Sequence, residues 1–184
     1  MKAYSALGLV LALSAAGSHA SEFDFNISDE SVQASLTYVP AARSLDLGVG
    51  YIYEEGGTDV GYAEFHARGR TALGNLPTTV GIGLQFNAFD DDQADGTAVA
   101  IGGYTHLKIP SVPGLGFNLG AHFAPSITSF GDADHYLHWD AKFTYRVIQT
   151  ADIYAGYRQI KLGREHGSVI SLAEGAMVGF RLYF

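Results

Sequence analysis

Apolar residues recur at every second position through almost the whole chain, and no periodicity near 3.6 lasts beyond a turn or two. A period of two puts one class of side chain on each face of an extended strand, so this chain must fold as sheet. In the clearest run Leu137, Trp139, Ala141, Phe143, Tyr145 and Val147 oppose Tyr136, His138, Asp140, Lys142, Thr144 and Arg146. In the last, Ala176, Val178, Phe180, Leu182 and Phe184 oppose Gly175, Met177, Gly179, Arg181 and Tyr183. A third sets Gly61, Ala63, Phe65 and Ala67 against Tyr62, Glu64, His66, Arg68 and Arg70. Large polar and charged side chains crowded on one face cannot form a dry core. They suit the solvated outside of a soluble sheet, or the charge-paired interior of a barrel whose other face meets lipid.

Composition favours the barrel. Charged residues make up 16% of the chain, against about a quarter in an ordinary soluble domain. Lys2, an apolar run from Ala6 to Ala16 and the small residues of Gly17-Ser18-His19-Ala20 form a secretory signal, too short in its apolar part to span a bilayer. Residues 1–20 are therefore expected to be a cleaved signal peptide, and residues 21–184 the mature domain. There is no cysteine, hence neither disulfide nor lipid-anchor site. Loss of Lys2 takes the formal charge from −8 to −9, and so acidic an exported chain has no electrostatic case for binding nucleic acid. No later segment is apolar for long enough to be a transmembrane helix, so entry into a membrane requires closed β-structure.

Counted along the chain, the alternating runs predict an all-β fold: an antiparallel transmembrane β-barrel of about ten strands, with eight as the fallback if the first short hairpin lies outside the closed sheet. The connections at 40–44, 71–78, 110–116 and 148–152 fall on the side of the C-terminus, expected to be periplasmic. The acidic stretches at 54–59, 90–96 and 124–135 fall opposite, as loops. Inward glycines at 48, 50, 81, 83, 102, 120 and 156 are expected to leave room for Tyr62, Arg68, Arg146 and Arg158, because so small a barrel is filled by its own side chains.

Two resemblances sharpen this. Gly179, Phe180, Leu182 and Phe184 resemble the C-terminal assembly signal of bacterial outer-membrane barrels, with Met177 where a polar residue is usual; this implies the barrel assembly machinery as a partner. Phe123-Ala124-Pro125-Ser126, Asp132-Ala133-Asp134 before Tyr136, the block from Ala151 through Gly156-Tyr157-Arg158 to Ile160, and Glu174 to Phe180 are similar to the YfaZ family of small outer-membrane proteins. That resemblance implies a monomeric barrel in the outer membrane of a Gram-negative bacterium. It supplies no catalytic residue.

Three functions are compatible with these residues. The first is a structural or surface-interaction barrel, its acidic loops either solvated or sharing divalent cations with lipopolysaccharide. The second is a narrow channel. In both, Asp46, Glu64, His66, Arg68, His106, Lys108, His122, His138, Asp140, Lys142, Arg146, Arg158 and Arg181 line the lumen, with Asp46, Glu64 and Asp140 expected to pair with the arginines and leave the lumen mostly closed. The third is a lipid-modifying enzyme, for which His135 near Ser126 and Ser129 is the arrangement nearest the rim; His66 with Glu64 and His138 with Asp140 face inward, away from lipid. The run Asp90 to Gly96 fails the spacing of a calcium loop at Ala94. No catalytic, cofactor-binding or metal-binding residue is assigned, and the expected partners are outer-membrane lipid and lipopolysaccharide. A closed barrel resists detergent until heated, so unboiled and boiled samples are expected to migrate differently on a detergent gel; identical mobility would count against closure.

Overall fold

The structure, a computed structural model, describes residues 21–40, 44–92, 94–164 and 168–184. The expected signal peptide lies outside the described residues, as do parts of the 40–44 and 163–167 connections. Eleven strands follow in chain order: β1 (Ser21–Ser28), β2 (Ser31–Tyr38), β3 (Leu45–Glu54), β4 (Thr58–Leu73), β5 (Leu76–Asp91), β6 (Ala94–Lys108), β7 (Leu115–Ala124), β8 (Ser129–Gly131), β9 (Ala133–Ile148), β10 (Ala151–Arg164) and β11 (Val169–Tyr183). Apart from the three-residue β8, each pairs antiparallel with its neighbours, and β1 pairs with β11, so ten strands close a cylinder. Ten is the expected count. The eight-strand fallback fails because β1 and β2 are part of the wall, and β1 is the strand that closes it.

Tight connections follow from local chemistry. Between β1 and β2 the Ser28 hydroxyl accepts from the Ser31 amide at 2.8 Å, a side-chain turn around Asp29 and Glu30. Between β3 and β4, Gly56 and Gly57 adopt φ of 115° and 96°, a region glycine enters without steric cost. Two expected loops are shorter than their composition suggested. β5 continues to Asp91 and β6 starts at Ala94, so the acidic run 90–96 is a hairpin corner. The stretch 124–135 holds a 3-10 turn, Ser126–Thr128, and then β8, which pairs with β6 (Thr97 opposite Phe130) before β9 begins. In both cases carboxylates line up on strand ends.

Ser21, Phe184 and the connections after β2, β4, β6 and β9 lie at one end of the barrel, here the terminal end; the opposite end is the distal end. Over the terminal two-thirds the wall is inside-out relative to a soluble protein. Ile82, Ile101 and Phe143 on the outside are 69%, 61% and 61% exposed, whereas inward His66, Gln85 and Asn26 are buried to within 1%. That is the arrangement of a barrel with hydrocarbon outside and polar groups within.

Toward the distal end the inner face turns apolar and the outer face becomes mixed, with Tyr53, Phe130 and Val169 exposed among charged residues. Trp139 and Tyr157 pack ring to ring on the outer face, at 5.6 Å between centroids. The Trp139 indole N–H donates to Gln159 and the Tyr157 hydroxyl to Glu174. Amphipathic rings with polar neighbours mark the headgroup level. Beyond this level outward positions include Asp59, Asp90, Asp95 and Lys161, while inward Ile52, Val60, Ile160, Leu162 and Leu172 are buried to within 1% and form one apolar cluster with Phe89 and Tyr136. A bulge contributes: β10 and β11 pair Ile160 with Ala173 and Lys161 with Ser171, leaving Leu172 as an extra residue pointing into the cluster.

The lipid-facing assignment makes a quantitative demand. Ile82→Arg, near the middle of the terminal two-thirds, should lower stability by about 2–4 kcal/mol, read by urea unfolding from liposomes. The same change at a solvent-facing position should do little.

The polar lumen and its histidine belt

Strand pairing explains how distant residues meet in the lumen. One row around the wall reads Asp46 on β3, His66 on β4, Gly83 on β5, Gly102 on β6, His122 on β7 and His138 on β9. The two glycines put no side chain between the histidines. A Cβ at Gly83 would collide with the Phe65 carbonyl, and one at Gly102 with the Ala121 carbonyl, so neighbouring backbones close in at these points as well. The imidazoles of His66 and His122 reach across the gap and face each other, Nε2 to Nε2, at 2.9 Å. Behind His66, its Nδ1 lies 3.1 Å from the Asp46 carboxylate, which also accepts from the Tyr104 hydroxyl. His138 Nδ1 sits 3.3 Å from Gln85 Oε1, and the Gln85 amide nitrogen donates to Glu64 at 3.4 Å.

The remaining charges lie in two groups. Toward the terminal end, Arg181 pairs with Asp24 at 2.9 Å and more loosely with Glu22 at 3.8 Å, and Asp24 also accepts from the Tyr154 hydroxyl. At the mouth Arg146 forms a two-pronged pair with Asp152, 2.6 and 3.1 Å, and its guanidinium lies over the Tyr183 ring. Deeper in, Lys142 pairs with Asp140 at 3.5 Å and lies over the Tyr154 ring. Arg158, 3% exposed, has neutral partners: Asn26 Oδ1 at 3.1 Å, Ser31 Oγ at 2.6 Å, and Gln33.

All thirteen residues expected to line the lumen lie on its inner face or its mouth, but their partners differ from expectation. Among the described residues Asp46 and Glu64 form no ion pair with an arginine and Asp140 pairs with Lys142; Arg181 takes Asp24 and Glu22, Arg146 takes Asp152, and Arg158 takes uncharged groups of β1 and β2. His106 stacks on Tyr104 with centroids 4.6 Å apart, Arg68 lies at the inner end of the mouth, and Lys108 is exposed at its rim. Glycine complements large side chains as expected, for Tyr62 and for two residues not foreseen: a Cβ at Gly50 would overlap Tyr62, at Gly81 Tyr104, and at Gly120 Asp140. His135 lies 3.3 Å from Asp134, while the Ser129 hydroxyl donates to the Pro125 carbonyl, so these groups do not assemble into a nucleophile and base. Of the inward residues the sequence did not single out, Asp24, Asn26, Gln33, Gln85 and Asp152 each make at least two side-chain hydrogen bonds. Their alternation with Phe23, Phe25 and Ile27, or with Ile153, was the available signal.

The residues that resemble an assembly signal lie on β11 at the closing seam, or just after it. Phe180 packs against Phe25 and Phe23 of β1, at 5.7 and 6.3 Å between centroids, while Leu182 and Phe184 face outward. Gly179 leaves room for the Tyr154 ring.

Two spaces remain. A cavity of about 120 Å³ lies beside the histidine belt, bordered by Glu64, His66, His122 and Lys142. It adjoins a mouth of about 700 Å³ at the terminal end, edged by Arg68, Arg70, Lys108, Arg146 and Arg181.

The family model described as YfaZ precursor matches residues 1–184. The chain belongs to the YfaZ family. No curated protein matches it. Among solved structures, the YfaZ-family barrel is similar to the outer membrane channel DcaP of Acinetobacter baumannii, at TM-score 0.47 and 11% identity over 91% of this chain and 60% of that one. It spans less than two-thirds of the DcaP chain. It is also similar to the KdgM porin in complex with disordered oligogalacturonate, at TM-score 0.45 and 9% identity over 90% and 99% of the two chains. Against Neisserial surface protein A the TM-score is 0.38 and the identity 14%, over 90% and 94%. The YfaZ-family chain is a closed, antiparallel β-barrel.

Asp24 is the acceptor on which the terminal part of the lumen converges. Asp24→Ala should destabilise the barrel by about 3–5 kcal/mol, because Arg181 would keep its burial and lose its principal counter-charge. Urea unfolding in detergent, beside Asp24→Asn as the milder change, measures it.

Proposed function

We propose that this protein is a sealed barrel of the outer membrane, a structural and binding component of that membrane and not an open conduit. The supporting observation is the distal apolar cluster: Ile52, Val60, Tyr136, Ile160, Leu162 and Leu172 fill the lumen at and beyond the headgroup level, each buried to within 1%. Ions do not cross a dry hydrocarbon plug, because the cost of stripping their hydration is not returned. The terminal end is the periplasmic one in this reading, following export by a cleaved signal peptide and insertion by the barrel assembly machinery. The protein works as a monomer whose outward contacts are membrane lipid and, at the acidic distal rim, solvent or lipopolysaccharide.

The channel reading keeps one observation on its side. The polar mouth and the cavity at the histidine belt adjoin each other, so the cluster is the barrier that a conducting form would have to remove. Planar-bilayer recordings separate the two. Wild-type protein should give no steady openings, and the triple change Tyr136→Ala, Leu162→Ala and Leu172→Ala should introduce them. Steady ion-selective openings of the wild type that shift with Arg68→Ala would establish the channel instead.

A further inference from the structure

His66 and His122 come from strands separated by two others, yet their Nε2 atoms lie 2.9 Å apart in the lumen. Asp46, 2% exposed, explains the state of the first ring: its carboxylate only accepts, so the His66 Nδ1 facing it at 3.1 Å carries the proton and Nε2 presents a lone pair. A histidine with a carboxylate behind one nitrogen is oriented as metal-ligating histidines are. Glu64 stands two residues before His66 on the same face of β4, and one ligand atom from each of Glu64, His66 and His122 lies within 4.8 Å of the other two. The Gln85 amide holds the Glu64 carboxylate from the side.

Charge points the same way. Asp46 and Glu64 flank the two imidazoles, and among the described residues no Arg or Lys forms an ion pair with either. Two carboxylates beside two imidazoles match the charge of a divalent ion, while Arg68, Lys142 and Arg181 border the same cavity without an ion pair to either carboxylate. The cavity of about 120 Å³ next to them has room for water, whose share of liquid volume is about 30 Å³.

We propose that the lumen holds one divalent transition-metal ion of the zinc class, bound by His66 Nε2, His122 Nε2 and the Glu64 carboxylate, with Asp46 as a positioning residue and a water at the fourth place. Imidazole nitrogen with one carboxylate selects zinc, copper or nickel over magnesium and calcium. Zinc–nitrogen bonds are about 2.0–2.1 Å long, so two nitrogens on a tetrahedral ion stand roughly 3.3 Å apart. A separation of 2.9 Å needs only a small opening. Without metal, the His122 Nε2–H donates to His66; on binding, that proton moves to His122 Nδ1, and both Nε2 lone pairs reach the ion. The proposal does not depend on whether the lumen conducts.

The test uses the mature barrel folded in detergent micelles, stripped with chelator and titrated with Zn²⁺ alone, bound metal being counted by mass spectrometry. Wild type should retain one equivalent in the presence of excess Mg²⁺. His122→Gln should lose it, His135→Gln at the distal rim should keep it, and Asp46→Asn should weaken it by about 10–100-fold. The mobility of unboiled samples reports whether each variant is folded. Should His122→Gln fail to fold, zinc-edge X-ray absorption of the wild type decides: two imidazoles and an oxygen shell support the site, and one imidazole or none overturns it. Substoichiometric uptake by wild type, or uptake unchanged in folded His122→Gln, also overturns it.

Discussion

Hydrocarbon offers a peptide group no partner, and this constraint explains more of the molecule than any single contact. An open sheet leaves a row of unmet N–H and C=O groups at each edge, so a sheet that enters lipid must close on itself. Here closure falls to β1 and β11, the first and last strands described, which pair from Glu22 with Tyr183 to Ser28 with Met177. The seam is reinforced on both faces. Outside, Phe23 and Phe25 meet Phe180; inside, Asp24 binds Arg181 and Tyr154. Residues more than a hundred positions apart in sequence thus hold the cylinder shut.

Closure creates a second problem, the filling of the inside. A narrow barrel has no room for bulk water around every charge, and the chain meets this in two ways along its axis. In the terminal two-thirds polar groups satisfy one another, with glycine opposite the largest of them, as Gly50 is to Tyr62. At the distal end the inner face becomes apolar, and the outer face carries Asp59, Asp90, Asp95 and Lys161 beside exposed Tyr53, Phe130 and Val169. The change occurs near Trp139 and Tyr157. What surrounds the wall therefore sets which side chains point in: lipid around one part, water around the other.

The alternation, the strand number and the inner face were legible in the sequence, because a period of two is local and survives errors in strand ends. The apolar distal interior was not. Isoleucine and leucine read alike whether they face lipid or a dry interior, and the extra residue Leu172 shifts the phase of β11 without any mark in its neighbours. Salt-bridge partners were also hidden, because they depend on how each strand is staggered against the next. Arg158 illustrates this: its partners Asn26, Ser31 and Gln33 lie in the hairpin that the eight-strand alternative would have left outside. The meeting of His66 with His122 required knowing that two glycines stand between them in one row.

The distal cluster is built from the strands themselves, not from a loop folded back into the bore. A stopper woven into its own staves has no hinge. In the sealed barrel we propose, unblocking the tube means prising neighbouring staves apart, at the expense of the ladder that keeps it a tube, so obstruction and integrity become one property.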